Sequence, residues 1–361
     1  MYFTDRIAHY IKEKELDLKN LTIIIPSERA KKYVAASLYR CFQKPILAPD
    51  MITIDRWIKN LSDQTVIDKT RTLIKLFHVH LESPNSKKDE SFDEFLSWGS
   101  ILLNDYDEID RYLLSSEQVF KNLTAVKELE NWEVDSWSFE KKELSEVQKR
   151  FMEFWDRLPI YYQLLNERLA DESLCYIGKA YRFVAEQINV VFQKNKNQHF
   201  LFAGFNALSP SEIQIMKQLI QMGRGHLLID ADNYYIKNKH HEAGRFLRNT
   251  MDLIPTAPIS FSNSISDDQK TINVIECAQQ TGQIKVAATI LKDFNQDELN
   301  ETLILLADEQ LIAPLLKNLP KTIGKANITL GLPLRDTPLK TWIDLIFAIQ
   351  ENKQRFKTEA L

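Results

Sequence analysis

Apolar positions along this chain recur with two different periods, and the change from one to the other divides it. Ile7, Tyr10, Ile11 and Leu16 form a helical stripe, and Leu21-Thr-Ile-Ile-Ile25 then makes a β-branched run closed by Pro26. That run predicts a buried strand. Ser27 stands as an N-cap before apolar residues at helical spacing through Leu38, so strand, turn and helix form the first half of a βαβ element. From about Asp55 to Gln193 long helical periods dominate, including Ser91-Phe-Asp-Glu-Phe-Leu-Ser-Trp, and predict a helical insertion. Strand character returns at His199–Ala203 and His226–Asp230, with a helix between them starting at Ser209-Pro210-Ser211-Glu212. Ile254–Lys270, rich in Pro, Ser, Thr and Asp, reads as a linker. A second alternating unit follows, with strands Ile272–Glu276 and Thr302–Leu306 and helices Thr281–Phe294, Glu309–Asn318 and Pro338–Gln350. The sequence ends at Leu361 with little left beyond these elements to complete a second sheet, so a truncated chain is expected.

Charge narrows the function classes. The formal net charge is −4 and the pI about 6.0, which excludes a uniformly basic nucleic-acid-binding protein. The balance is uneven: Lys87–Glu143 holds fifteen acidic and seven basic residues, whereas Met1–Asp50 holds nine basic and six acidic. A polyanion would avoid the first stretch and favour the second. Cys41, Cys175 and Cys277 are too dispersed for a zinc cluster or a disulfide scaffold, and reduced thiols in the cytoplasm are expected. No apolar run is long enough to span a membrane.

The motifs of catalysis are incomplete. A P-loop needs G-x-x-x-x-G-K-[ST], but Gly178-Lys179 and Gly324-Lys325 are each followed by alanine, with Ser173 and Leu319 where the earlier glycine belongs. Both pairs read as surface or turn sequence. Gly223-Arg-Gly225 precedes a strand instead of following one and reads as a helix C-cap. His78-x-His80 and His240-His241-Glu242 lack the spaced partners of a zinc site, and are expected to be packed or solvent-facing. Asn104-Asp-Tyr-Asp-Glu-Ile-Asp110 lacks the glycine of a calcium loop and reads as an acidic helix face, solvated or paired. No catalytic residue, metal ligand or cofactor site is predicted.

Several stretches together resemble the N-terminal region of AddB/RecC-like proteins. They are Leu21-Thr-Ile-Ile-Ile-Pro-Ser-Glu-Arg-Ala, Trp98-Gly-Ser-Ile-Leu-Leu-Asn-Asp-Tyr-Asp-Glu-Ile-Asp, Phe202-Ala-Gly-Phe-Asn-Ala-Leu-Ser, Asp230-Ala-Asp-Asn-Tyr-Tyr, His241-Glu-Ala-Gly-Arg-Phe-Leu, Leu306-Ala-Asp-Glu-Gln-Leu and Leu330-Gly-Leu-Pro-Leu-Arg-Asp-Thr-Pro-Leu. The resemblance implies an α/β protein with RecA-like, P-loop-NTPase-type parallel sheets, a degenerate superfamily 1 helicase fold with a large helical insertion. Its domains would be 1–60 with 196–255 (the first RecA-like domain), 61–195 (the insertion) and 271–361 (the start of the second). In active UvrD-type relatives the strand at Phe202 would end in an Asp-Glu pair that holds magnesium and the attacking water. Ala203 and Gly204 stand there in this chain, so phosphoryl transfer loses its metal carboxylates.

The resemblance further implies a non-catalytic DNA-binding scaffold of a double-strand-break-processing helicase–nuclease. The PD-(D/E)XK nuclease would lie outside this chain, DNA and an AddA-like motor would be its partners, and no cofactor would be bound. Candidate DNA contacts are Arg29, Lys31 and Lys32 after the first strand, with Tyr234, Tyr235 and Arg245 after the last strand before the linker. Two alternatives stay open: an interaction module that docks a partner motor without touching DNA, and an ATP-dependent helicase with an atypical site.

Overall fold

Leu21–Ile25 (β1) is buried along its whole length, and the alternation of its side chains divides the hydrophobic interior in two. The structure is a computed structural model that describes residues 1–83, 89–122, 146–193, 197–257, 261–331 and 333–351. The chain falls into two units, Met1–Asp268 and Gln269–Leu361.

The first unit is built on a parallel sheet of four strands. Asp50–Thr53 (β2), β1, His199–Ala203 and Gly225–Leu228 lie side by side in that order. Between the first two and the last two, Thr65–Val66 (β3) pairs with Leu174–Cys175 (β4) in a small separate sheet, which makes His199–Ala203 β5 and Gly225–Leu228 β6. Register places Ile24 beside Phe202 and Phe202 beside Leu227. Helices Phe3–Glu13 (α1) and Glu28–Phe42 (α2) cover one face, where Ile7, Ile11, Val34 and Leu38 meet Ile23, Ile25, Leu201 and Leu228. The other face carries Ile24, Phe200, Phe202 and Leu227, packed by Trp57 of Ile54–Leu61 (α3). The Trp57 ring centroid lies 5.3 Å from that of Phe200 and 5.6 Å from that of Phe202.

The helical insertion has its own core. Lys69–Glu82 (α4), Phe92–Arg111 (α5) and Glu146–Asp171 (α6) bring together Leu76, Phe95, Leu103, Tyr106, Tyr161 and Leu165. Ile177–Glu186 (α7) joins the two cores, because Tyr176 before it packs in the insertion while Ala180, Tyr181 and Val184 pack under the sheet. Pro210–Gln221 (α8) begins with a complete capping box between Ser209 and Glu212. Gly223, at φ +71, then reverses the chain into β6, as a C-cap glycine should.

Four expectations need correction. Gly178-Lys179 is not surface sequence: Gly178 is buried in the first turn of α7, and a Cβ there would strike the Asp107 carbonyl oxygen. Strand β2 is a fourth member of the sheet that the sequence pattern misses, since Ile52 is its only buried side chain. The predicted linker is partly structural. Ala257 N donates to Leu227 O at 2.9 Å, Ser262 N donates to Ala231 O at 3.2 Å, and an isolated parallel bridge joins Ser262 to Asp232, so Ala257 and Ser262 lie beside β6 and the residues that follow it.

In the second unit the predicted strands 272–276 and 302–306 have no regular secondary structure and pair with nothing among the described residues, so no second parallel sheet is formed among them. A strand is stable only when its backbone groups and both faces find partners. Here Ile304 and Leu306 pack on Ile284 and Leu315, while Val274 and Leu305 are 92% and 87% exposed. The predicted helices do form, as Gln280–Lys292, Ile312–Asn318 and Pro338–Glu351.

Candidate functional site

Parallel α/β sheets bind ligands beyond the carboxyl ends of their strands, where successive connections leave in opposite directions. In this sheet that point lies between β1, whose chain continues to β2, and β5, whose chain continues to β6. The residues there do not form a phosphate cradle. Pro26 has no N–H to offer, and a Cβ on Gly204 would lie 3.4 Å from the Phe3 ring, so an aromatic side chain of α1 fills the crevice. Arg6 reaches across to Asp230 at the end of β6. Glu28 occupies the first turn of α2, where helix polarity would otherwise favour an incoming anion, and the hydrogen bond from Lys31 at 2.7 Å holds its carboxyl below the usual range. Ala203 is buried and carries no side-chain oxygen that could take a metal.

Beyond β6 the surface is different. Asp232, buried, accepts from Tyr234 N at 2.9 Å and starts the short helix Asn233–Lys237 (α9). The chain loops back through 238–244 into Arg245–Leu253 (α10), and Arg248 holds the loop closed by donating to the carbonyls of Tyr235, Asn238, Lys239 and His241. This closure gathers three rings. Tyr234 lies edge-on to Tyr235 with centroids 5.3 Å apart, and His241 stands 5.7 Å from Tyr234 and 4.7 Å from Tyr235. Lys237, Lys239 and His240 are exposed beside them, as is Phe246. Between Asn233 and Asn249 there are four basic residues and one acidic, in a protein that is acidic as a whole.

The predicted contacts therefore fall into two groups. Tyr234, Tyr235 and Arg245 belong to the ring patch, with Arg245 paired to Glu242 at 3.2 Å. Arg29 and Lys32 are exposed at the head of α2, two strands away along the same sheet edge, whereas Lys31 is turned to Glu28 and half-buried. His241 was missed as a member because its place in the cluster depends on the loop that Arg248 closes. It is packed against rings and caps the following turn through Nδ1, which accepts from Ala243 N at 3.2 Å.

The acidic motif of α5 is paired and structural. Asp110 is fully buried and accepts from Arg182 Nε at 2.5 Å, from Tyr162 Oη at 2.8 Å and from Tyr176 Oη. Burial, then the facing Asp110 carboxylate, raises the Tyr162 hydroxyl well above its ordinary value, so it stays a donor. Arg182 also donates to the carbonyls of Ile109 and Leu114, satisfying the end of α5. One turn earlier Asp107 accepts from Gly178 N at 2.6 Å and from Arg111 Nε at 2.8 Å, and the Arg111 guanidinium lies 4.3 Å over the Tyr181 ring. A sequence signal for this existed: Asp110 continues the buried stripe of Leu103 and Tyr106 at i, i+3 and i+7 spacing.

Burial lowers the pKa of two histidines, His80 in the insertion core and half-buried His226 on β6. His80 bonds Tyr161 Oη through Nδ1 at 2.9 Å, with Glu90 facing Nε2 at 2.8 Å; burial lowers its pKa against the opposing pull of Glu90. His226 bonds Tyr10 Oη at 2.9 Å and is lowered by burial, then by His199 and Lys14. The unfolded chain takes up these protons at higher pH than the folded one does. Stability is therefore complete above the ordinary histidine pKa of about 6.5 and declines as pH falls through it toward the lowered folded values. Urea midpoints at pH 7.5 and 5.5 check this, and the paired variant His80→Asn with His226→Asn is expected to flatten the difference.

Among the described residues no group of three or more His, Cys, Asp or Glu side chains is placed to hold a metal ion, and no helix is long and apolar enough to cross a membrane. Comparison of the sequence with protein-family models gives no match, and comparison with curated proteins gives none either.

Proposed function

We propose that this chain is a non-catalytic, helicase-like nucleic-acid-binding scaffold of the AddB/RecC kind, with a RecA-like first domain split by a helical insertion. The observation that carries the reading is the Tyr234–Tyr235–His241 ring cluster, edged by Lys237, Lys239 and His240, at the carboxyl end of the parallel sheet. Aromatic faces beside cations suit unpaired bases and their phosphates. The crevice where a nucleotide would lie supports a non-catalytic role, since Phe3, Pro26 and Glu28 take the places of a glycine cradle. No cofactor enters this reading, and a motor subunit of the AddA kind would supply the ATP chemistry.

A titration of labelled single-stranded DNA and of a tailed duplex, at low and at physiological salt, tests it. The expected result is binding that weakens steeply with salt, without DNA-stimulated ATP hydrolysis. Absence of binding at low salt, or magnesium-dependent ATP turnover, overturns it.

One observation favours a second reading, a module that docks a partner protein. Pro338–Glu351 exposes Trp342 and Phe347, each at 60%, with Leu339, Ile343 and Ile346 beside them. Apolar area of this kind marks a contact surface.

A further inference from the structure

Helix α2 turns Val34, Ser37 and Leu38 inward, and its opposite face has an unusual make-up. Arg29, Lys32, Tyr33, Ala36, Tyr39 and Arg40 fall on that outward face at helical spacing, and Lys44 follows just past the helix end. Tyr33 is 54% and Tyr39 75% exposed, so neither ring is spent on the core. From Arg29 to Pro49 the chain has five basic residues and not one acidic residue, although acidic residues outnumber basic ones in the protein as a whole. Glu28 pairs with Lys31 from outside this stretch, and Asp5 with Arg40 at 2.7 Å, which also donates to Ser37 Oγ. Lys32 and Lys44 are exposed along the track.

An exposed helix in an acidic protein ordinarily mixes charges of both signs, which keeps the surface soluble and indifferent to polyanions. A face that joins cations of one sign with two uncovered phenol rings complements a ligand that is itself both anionic and aromatic. Charge alone would fit an acidic protein as well; the rings favour nucleic acid. Geometry agrees in scale. Eleven residues separate Arg29 from Arg40, about 16 Å of helix at 1.5 Å per residue. A stacked strand rises about 3.4 Å per nucleotide, so the face spans about five nucleotides. The head of α2 follows β1, which lies two strands, about 10 Å, from β6 in the sheet, and the ring patch follows β6 at the same carboxyl edge.

We propose that the outward face of α2 is a second nucleic-acid contact, along which a single strand leaves the ring patch with its phosphates on Lys32 and Lys44 and its bases against Tyr33 and Tyr39. This inference rests on the nucleic-acid-binding reading and extends it by a path and a site size. The two contacts together cover on the order of eight nucleotides.

The test uses the full chain and oligothymidine of about four and about twelve nucleotides, lengths within the range of known single-strand sites. Wild type is expected to bind the longer oligomer more tightly. Tyr33→Ala and Tyr39→Ala should each remove about tenfold of that gain, while Tyr33→Phe and Tyr39→Phe retain it. Lys32→Ala with Lys44→Ala should lower the salt slope by about 1.4, two contacts at about 0.7 each. Equal affinity of wild type and the α2 variants for the long oligomer, with Tyr234→Ala weakening both lengths, overturns the track and leaves the ring patch standing. Failure of wild type to bind either length overturns both. If poly-glutamate is bound with the same dependence on Lys32 and Lys44 and the tyrosine variants are silent on oligothymidine, the face takes an acidic protein and the proposal fails.

Discussion

Replacing Asp110 with alanine is expected to lower the unfolding free energy of the first unit by about 3–5 kcal/mol, the cost of leaving a buried ion-pair partner uncompensated. The Arg182 guanidinium is largely enclosed and would keep its two carbonyl bonds and its half-exposed partner Glu186 at 3.2 Å, but would lose its buried counter-charge. Tyr162 and Tyr176 would each lose the acceptor of a hydroxyl that burial keeps protonated. Because α7 packs both in the insertion core and under the sheet, the loss should loosen the join between them and not α5 alone. Tyr162→Phe, which removes one neutral donor, should cost about 1 kcal/mol. Urea unfolding followed by tryptophan fluorescence reads both, and an Asp110→Ala protein as stable as Tyr162→Phe would show that the cluster is not a clamp.

Nucleic-acid binding is expected to fall by at least tenfold for Tyr234→Ala and again for Tyr235→Ala, since base–aromatic stacking contributes about 1–3 kcal/mol per base. The salt slope should hardly move, because neither ring carries charge. Lys237→Ala with Lys239→Ala should do the reverse, lowering the slope by about 0.7 for each lost phosphate contact while leaving stacking intact. Arg248 ties the loop through backbone carbonyls, so truncating the rings leaves the 235–241 chain path in place. Tyr234→Phe keeps the stacking face and should bind as wild type does. Anisotropy titrations over a salt series separate the two effects, and an affinity insensitive to both tyrosines would remove the ring cluster from the interface.

Local chemistry alone determined a good part of this protein. A run of five apolar, mostly β-branched residues has few ways to be satisfied other than as a buried strand, so β1 was legible, and β5 similarly. The Ser209–Glu212 box and Gly223 announced both ends of α8, because cap residues act on backbone groups one turn away. The lack of a complete G-x-x-x-x-G-K-[ST] loop was equally plain. Tertiary structure decided what depends on partners distant in sequence. Asp50–Thr53 is a strand because β1 lies beside it, while 272–276 and 302–306, which look more strand-like, find no pairing neighbour among the described residues. Among the carboxylates of the α5 motif, the approach of α7 settled which one is buried and bonded to Arg182, and which accepts the Gly178 N–H. The ring patch likewise exists only because Arg248 closes a loop that brings His241 to Tyr235. Propensity and capping act within a few residues and can be read from one stretch of chain; burial, pairing and the company a charge keeps are set by whichever segment folds against it.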